Sequence, residues 1–351
     1  MTLDDFLNPL HFSAAQHVVN RASIADLFRP QQRCGIYVLQ FLTGEVYVGQ
    51  AVDVARRYVQ HRQNHPDIET IRFKQAAQSD LNDIERNLIW TLEQNHFQLR
   101  NITFTSSPQG ESDFDQIMSV EQQESWLLGN IQLIDAQQRI QTDELRRKYS
   151  RKFNKFQALP FANTVLKLLA MYVHCAIPVP KMSELVFWSC SCLPSNGREK
   201  SRIIVRVNLN WQEVFNIYQK GDELITSWYL AESIFKDKYE TQFATRKPRL
   251  LFTLAKSIFK DKYETPSSQF DQQFPDLEFD DNFYCPGGID QLHVFCTNLQ
   301  NSHLVMQNQF FIAALRAFNM RLLKKGPNVY GKYHCPQLAD EIFEKLETTK
   351  I

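Results

Sequence analysis

The first dense strand pattern of apolar and polar positions along the chain begins at Cys34. Residues 34–41 are mostly apolar, aromatic or β-branched, a Leu-Thr-Gly-Glu turn follows, and residues 46–49 return to strand composition. Two short strand-like runs joined by a turn of this kind are typical of a β-hairpin. The pattern therefore predicts a hairpin over residues 34–49.

The pattern after the hairpin switches between helical and strand spacing. Asp53 is a candidate N-cap for a helix, and residues 68–73 alternate as a third strand. A second helix is predicted over about 79–92, where leucine and isoleucine recur at helical spacing, and residues 97–104 return to strand composition. The order β-β-α-β-α-β predicts an α+β domain over residues 34–105, a small antiparallel sheet flanked by helices.

The segments on either side of this domain carry weaker patterns. Residues 1–33 are predicted to be a polar lead-in with one short helix over 14–28. Residues 106–159 combine a linker rich in Ser, Gln, Gly and Asp with a long helix predicted over about 120–155.

Residues 160–351 match no motif and are predicted to form a larger mixed α/β domain of unknown fold. An apolar helix is predicted near 162–175, strands at 185–190 and 203–207, and more helix after them. This domain is a candidate for target recognition or partner docking.

The sequence of residues 230–241 reappears at 254–265 with one change, Glu232 to Lys256. Solenoids need at least three stacked units, so two copies do not predict one. The repeat is interpreted as a local duplication of an amphipathic helix, with a paired partner-binding surface as the alternative.

The composition is that of an ordinary globular protein, with 351 residues, 43% hydrophobic, 22% charged and a formal net charge of zero. Zero net charge neither supports nor excludes a polyanionic partner. The first residues are acidic where a secretory signal is basic, and the longest apolar run, 168–180, is shorter than a bilayer-spanning helix. Seven scattered cysteines favour reduced thiols. A cytoplasmic protein without membrane contact is therefore expected.

Two tripeptides in the hairpin are the first candidates for a catalytic motif. Gly35-Ile-Tyr37 and, after nine further residues, Tyr47-Val-Gly49 resemble the two-strand motif that names the GIY-YIG nuclease family, with valine for isoleucine in the second half. In that family an arginine follows on the next helix, often with a histidine one turn later. Arg57 and His61 match these places and, four residues apart, share one helical face.

Two further positions extend the resemblance over about residues 30–105. The family's metal-binding glutamate on the following helix is matched by Glu85, and its asparagine near the end of the domain by Asn101, although Asn95 also follows the same helix. Each residue alone has an ordinary structural explanation, as a sheet aromatic, a surface charge or half of a helix salt bridge. Their joint order favours a nuclease.

The resemblance implies hydrolysis of phosphodiester bonds with one Mg²⁺ (or Mn²⁺) held by Glu85. Magnesium prefers oxygen ligands and keeps several waters, so one carboxylate suffices. Tyr37 is then the general base or its relay, helped by Tyr47 or His61. Arg57 would bind two phosphate oxygens at once, and Asn101 would orient Glu85 or the substrate.

A basic segment with interleaved aromatics lies at the end of the predicted long helix. The candidate nucleic-acid-binding residues there are Arg146, Arg147, Lys148, Arg151 and Lys152. The presence of Tyr149 and Phe153 beside them favours DNA contact over a solvated helix end.

A zinc site is not expected. Cys190-Ser-Cys192, with His174 and Cys175 upstream, lacks the two-residue spacer of a zinc knuckle, and Cys285 and Cys335 are isolated.

We therefore expect a metal-dependent endonuclease acting on DNA, double-stranded in the simplest case, in restriction, defence or mobile-element processing. The alternatives are a catalytically silent nucleic-acid-binding protein of the same fold and a repair or structure-specific nuclease. The C-terminal domain could instead be a separate enzyme or an interaction platform, with a homodimer or another protein as partner.

Overall fold

The computed structural model describes residues 2–101, 105, 108, 112–129, 136, 138–140, 142–195, 201–231, 234, 278–282 and 292–348. The strands are β1 (Gln16–His17), β2 (Gly35–Phe41), β3 (Val46–Ala51), β4 (Ile68–Gln75), β5 (Trp188–Cys192), β6 (Arg202–Leu209), β7 (Gln212–Lys220), β8 (Glu223–Ala231), β9 (Glu278–Asn282) and β10 (Leu292–Asn298). The helices are α1 (Leu3–Leu7), α2 (Val54–Asn64), α3 (Leu81–Gln94), α4 (Val120–Leu127), α5 (Asp143–Gln157), α6 (Ala162–Ala176), α7 (Pro180–Ser183), α8 (Leu299–Val305), α9 (Gln309–Lys324) and α10 (Pro336–Thr348). The architecture is α+β, as predicted.

The chain divides into two compact units. The first is formed mainly by Met1–Glu111, and the second by most of the chain from Ser112 onward.

The first unit is built on a four-stranded antiparallel sheet in the order β1-β4-β2-β3. Strands β2 and β3 form the predicted hairpin, and β3 is the last strand in this order. Their register places Tyr37 opposite Gly49, while on its other side Tyr37 pairs with Phe73 of β4. The two halves of the Gly-Ile-Tyr and Tyr-Val-Gly motif therefore lie side by side.

Both faces of this sheet are covered, which explains why residues 34–41 are almost continuously apolar. On one face Ile36 and Val38 pack in a cluster with Leu88 of α3. On the other face Tyr37 and Leu39 pack in a second cluster, which includes side chains of α2. Helices α2 and α3 thus contribute to opposite faces of one sheet.

The helix predicted over 14–28 is wrong. Residues Gln16 and His17 pair as β1 with β4, and Ala25–Leu27 form only a single 3₁₀ turn. The Tyr58 hydroxyl donates to the carbonyl oxygens of Val18 and Arg21, 3.1 and 3.0 Å away, and these bonds hold the segment in a non-helical course.

The strand predicted over 97–104 is reduced, in the part that the structure describes, to one parallel bridge between Val46 and Leu99. Residues 102–104 lie outside the described residues.

The second unit contains a six-stranded antiparallel sheet in the order β5-β6-β7-β8-β10-β9. One large apolar cluster joins its strands to α6, α9 and α10. The apolar helix predicted near 162–175 is confirmed as α6. The strand predicted at 185–190 begins later, at Trp188. The further helix predicted after the two strands is confirmed as α8, α9 and α10, but β7, β8, β9 and β10 come before it.

The single long helix predicted over 120–155 is also wrong. Helix α4 ends at Leu127, Gly129 follows with a φ of +78°, and α5 begins only at Asp143. A glycine in the left-handed conformation commonly ends a helix. The spacing of apolar residues does not reveal such a stop, so the prediction continued the helix through it.

Within the described residues, no single helix is both long and apolar enough to cross a bilayer. Helices α5 and α6 meet that test of length and composition only together, across a bend of 118°. The duplicated segments 230–241 and 254–265 lie, apart from Leu230, Ala231 and Ile234, outside the described residues.

Candidate active site

The candidate site is organised around the Tyr37 side chain, which lies across its neighbour in β3. A Cβ atom at Gly49 would lie 2.3 Å from both Cζ and Oη of Tyr37. Real Cβ atoms do not approach other atoms this closely, so only glycine at position 49 leaves room for the phenol. The motif glycine therefore has a direct steric role.

Helix α2 brings two side chains to the Tyr37 hydroxyl. The Oη atom lies 2.7 Å from Nε2 of His61. Arg57, one turn earlier, donates from Nη1 to Oε1 of Gln60 at 3.0 Å, and its charge acts on the same phenol. The Tyr47 ring lies 6.3 Å from the Tyr37 ring and 4.7 Å from the His61 ring, measured between centroids. Asp53 caps this helix by accepting from the backbone N–H groups of Ala55 and Arg56. The predicted cap is confirmed, and it fixes where α2 begins.

Glu85 reaches the site from α3, which packs on the opposite face of the sheet. It is 8% exposed, and its Oε2 accepts from Nε2 of Gln50 at 2.8 Å. The same Nε2 donates to Oδ1 of Asn82 at 2.6 Å. Gln50 directly follows Gly49 in β3, so one face of this strand lies under the Tyr37 phenol and the other anchors the Glu85 carboxylate.

The charges of Glu85, Arg57 and the two tyrosines affect one another's pKa values. Burial raises the pKa of Glu85, and the hydrogen bond from Gln50 and the charge of Arg57 only partly offset it. The charge of Glu85 in turn adds to burial in raising the pKa of Tyr47, and contributes in the same direction at Tyr37. The carboxylate, the guanidinium and both phenols therefore share one electrostatic environment.

The resting protonation states follow from burial. Burial raises the pKa of Tyr37 well above its ordinary value of 10, and the nearby Arg57 does not reverse this. Burial, followed by the charge of Arg57, lowers the pKa of His61 to about 4. At neutral pH Tyr37 is a neutral phenol and His61 a neutral imidazole. In the imidazole tautomer that leaves Nε2 unprotonated, the phenol can donate its own proton to His61.

Asn101 occupies a different position in the unit. Its Oδ1 accepts from the Val48 N–H at 2.9 Å, and its Nδ2 donates to the Val48 carbonyl oxygen at 2.7 Å. Gln98 and Arg100 bond to the backbone of Val46 next to it. Asn101 thus secures the outer edge of β3, and the predicted contact to Glu85 or substrate stays a prediction.

Glu85 is the carboxylate at which the predicted divalent cation would be held. Among the described residues no Lys, Arg or His forms an ion pair with this buried carboxylate, and Arg57 acts on it only at longer range. A buried carboxylate without an adjacent counter-charge is stabilised by a cation, and magnesium completes its shell with water and substrate oxygens. No group of three or more His, Cys, Asp or Glu able to hold a metal occurs in the described part of the chain. A cation at Glu85 would therefore have a single carboxylate as its protein ligand.

The basic segment lies in the second unit, on α5. Arg146 is held by ion pairs to Asp340. Arg147, Lys148 and Arg151 are exposed and Lys152 is half-buried, so they form the basic face of α5. Tyr149 and Phe153, expected beside the nucleic acid, are instead buried in the core, because the helix turns its aromatic positions inward.

Sequence reasoning missed two contributors. Gln50 and Asn82 carry no recognisable motif, and only their hydrogen bonds reveal them. Gly49 belongs to the motif, but its steric role depends on the register of two strands.

The discounted zinc residues are also placed by the structure. Cys192 and Cys335 lie with their sulfur atoms 3.8 Å apart, and His334 has both ring nitrogens engaged, by the Cys190 N–H and by Glu184. Cys285 lies outside the described residues.

Comparison of the chain with protein-family models, with curated proteins and with solved structures finds no significant match. The functional assignment therefore depends on the residues of the site.

Proposed function

We propose that the protein is a metal-dependent endonuclease that hydrolyses phosphodiester bonds of DNA, with its active site at the β3 edge of the first unit. The observation that carries the proposal is the arrangement at two neighbouring residues of β3: the Tyr37 phenol lies over Gly49, and the Glu85 carboxylate accepts a hydrogen bond from Gln50. The charge of Arg57 acts on both groups. The order of these residues and their resemblance to the GIY-YIG family support the same reading.

Each side chain has a task that its chemistry allows. Arg57 binds phosphate oxygens through its planar guanidinium, which can donate two parallel hydrogen bonds. Glu85, held by Gln50, is the protein ligand for Mg²⁺ or Mn²⁺. The cation, when bound, neutralises charge that develops on the phosphate and its leaving oxygen.

The proton of the attacking water needs an acceptor, and the hydrogen bonds at Tyr37 provide a path. The Tyr37 oxygen takes the proton from water while its own proton passes to Nε2 of His61, 2.7 Å away. This relay avoids a free phenolate, which burial makes unfavourable at neutral pH. Tyr47 packs against both partners and keeps them in position.

The basic face of α5 would add sequence-independent affinity for the phosphate backbone of DNA. Arg147, Lys148, Arg151 and Lys152 are available for this task. Arg146 contributes less, because Asp340 already neutralises it. Restriction, defence or mobile-element processing is the biological setting that we propose.

The test is nicking of supercoiled plasmid in the presence of Mg²⁺ or Mn²⁺ by the wild type and by Glu85→Gln and Arg57→Ala. We expect each variant to be slower by about 10²- to 10³-fold, the usual cost of removing one charge-stabilising group. Asp83→Asn is the matched control, because this carboxylate lies on the same helix with its side chain 78% exposed. Equal nicking by the wild type and Glu85→Gln would refute the proposal.

A second candidate is a nucleic-acid-binding protein of the same fold without turnover. The burial that raises the pKa values of Tyr37 and Glu85 favours it, because both groups then resist ionisation. Retention of DNA without any nicking above the Glu85→Gln background, with either cation, would identify this function.

A further inference from the structure

The second unit exposes aromatic rings beside the basic face of α5. Trp211, in the turn between β6 and β7, is 38% exposed, and Tyr333 is 49% exposed. Tyr330 lies between them, with its ring 6.5 Å from that of Tyr333 and its hydroxyl donating to the Trp211 carbonyl oxygen at 3.3 Å. We call these three residues the aromatic platform.

Hydrogen bonds from two asparagine side chains hold the aromatic platform in place. The Asn210 side chain donates to the carbonyl oxygens of Gly326 and Pro327, and its own carbonyl oxygen accepts from the Val329 N–H. Asn328 is buried, and its side chain accepts from the Tyr330 N–H. These bonds tie the segment 326–330 to the β6–β7 turn. The exposed rings are therefore positioned before any ligand arrives.

Positive charge adjoins the aromatic platform. The Lys332 side chain is exposed, with its Nζ 5.1 Å from the centre of the Tyr333 ring. The Lys332 carbonyl oxygen accepts from Nζ of Lys148 at 3.3 Å and from the Tyr149 hydroxyl at 2.8 Å, so the platform segment is joined directly to α5. Arg147 and Arg151 continue the charge along the exposed side of that helix. Acidic side chains, Asp143 and Glu144, occur one turn earlier, at its beginning.

Flat exposed rings next to lysine and arginine match one kind of ligand best. Unpaired bases stack on aromatic side chains while basic residues contact the phosphates, and such surfaces bind single strands with little sequence preference. Paired bases in a duplex keep their faces covered by their neighbours, so they cannot use exposed rings in this way. An acidic peptide would use the charges but not the rings.

We infer that the aromatic platform, together with Lys332, Lys148 and Arg147, is a binding surface for single-stranded nucleic acid. The inference deepens the proposed function and rests on it for the choice of a polyanionic partner: the substrate would contain an unpaired stretch, as at a fork, flap or loop. It is confined to the second unit and does not depend on the geometry of Tyr37 and Glu85.

The experiment measures binding by the full chain carrying Glu85→Gln, so that the probe is not cut. The probes are fluorescent oligo(dT) and oligo(rU) of about 20 nucleotides, longer than the roughly 4–16-nucleotide sites of known single-strand surfaces, and a duplex of the same length. We expect tighter binding of a single strand than of the duplex. Tyr333→Ala and Trp211→Ala should each weaken it by about 5- to 100-fold, whereas Tyr333→Phe and Trp211→Phe, which keep a ring, should stay near the starting affinity.

Two further measurements separate stacking from simple charge. Trp211 is the most exposed tryptophan among the described residues, so oligonucleotide binding should quench intrinsic fluorescence, and Trp211→Phe should remove most of that change. Lys332→Ala should reduce the salt dependence of binding while leaving the preference for single strands.

Equal affinity of the alanine and phenylalanine variants would overturn the inference, and so would tighter binding of the duplex or equal binding of poly-glutamate. The outcomes also separate the two proposals. If plasmid nicking depends on Glu85 but no single strand is bound, only the inference of a single-strand surface is refuted. If single-strand binding depends on Tyr333 but no nicking occurs, only the proposed endonuclease activity is refuted.

Discussion

Each unit of the protein buries a glutamate, and the surroundings of the two glutamates shift their pKa values in opposite directions. In the second unit Glu184 is 3% exposed and is held by Arg139 and by Nε2 of His334 at 2.9 Å. Burial alone would raise the pKa of Glu184, but the hydrogen bonds from Arg139 and His334 outweigh it and hold the pKa below its ordinary value. In the first unit Glu85 has a neutral amide partner in Gln50, and its pKa is raised.

The difference separates a structural carboxylate from an available one. The network around Glu184 is closed, because Arg139 and Arg146 also share Asp340 and the Cys190 N–H occupies the second nitrogen of His334. Such a network rigidifies a core but offers no place for a ligand. Glu85 is buried at a cost that its own neighbours do not offset, and a bound cation would offset it. An incompletely neutralised site is what we expect of a binding centre.

The largest expected effect comes from breaking the closed network. Glu184→Gln should lower the free energy of unfolding of the second unit by about 3 kcal/mol, because Arg139 and His334 would lose the buried carboxylate that both contact, and Arg139 would keep only the more exposed Asp340. Hydrogen exchange of the β5 and β6 amides reports on that unit.

Glu85→Gln is the matched variant in the first unit. Its effect on unfolding should stay within about 1 kcal/mol, because the fold already disfavours the ionised carboxyl and Gln50 can still donate to an amide oxygen. Equal losses in the two variants would show that burial, and not the set of counter-charges, governs both sites.

The next effect concerns the close approach at Gly49. Gly49→Ala should destabilise the first unit by roughly 1–3 kcal/mol, the usual cost of overpacking, because the new Cβ would overlap the Tyr37 ring. In a Tyr37→Ala background the same substitution should cost far less, since the obstructing ring is gone. Urea unfolding of the four proteins closes the double-mutant cycle. Additive costs would mean that the ring does not lie over Gly49.

The stability of the first unit should also depend on pH. His61 has a pKa of about 4 in the folded protein against an ordinary value of 6.5, so below pH 6.5 the unfolded chain binds more protons. Stability should therefore fall as pH decreases from 6.5 towards 4 and change no further through His61 below that. The difference between wild type and His61→Gln, followed by hydrogen exchange of β2 and β4, isolates this contribution from that of Glu85. A constant difference across the window would contradict the buried, neutral state of His61.

Much of the first unit could be predicted because its signals are local. The hairpin, the Asp53 cap and α3 follow from strand composition, a capping residue and helical spacing, all of which act between neighbours in the chain. The prediction of one long helix over 120–155 was wrong because it relied on the same local helical spacing. Helical spacing resumes after the break, but a single left-handed glycine and the turn around it end α4 at Leu127.

By itself the sequence determined which residues are candidates for catalysis and in what order they occur: the two motif tyrosines, Arg57 and His61 on one helical face, and Glu85 on the next helix. Only the tertiary structure decided that the Tyr37 ring crosses Gly49, that Gln50 anchors Glu85, and that Asn101 binds the Val48 backbone. It also decided which charges are already neutralised, leaving Arg147 exposed and pairing Arg146 with Asp340. Register and long-range contacts set these outcomes, because a one-residue slip of β3 would turn every one of its side chains to the other face.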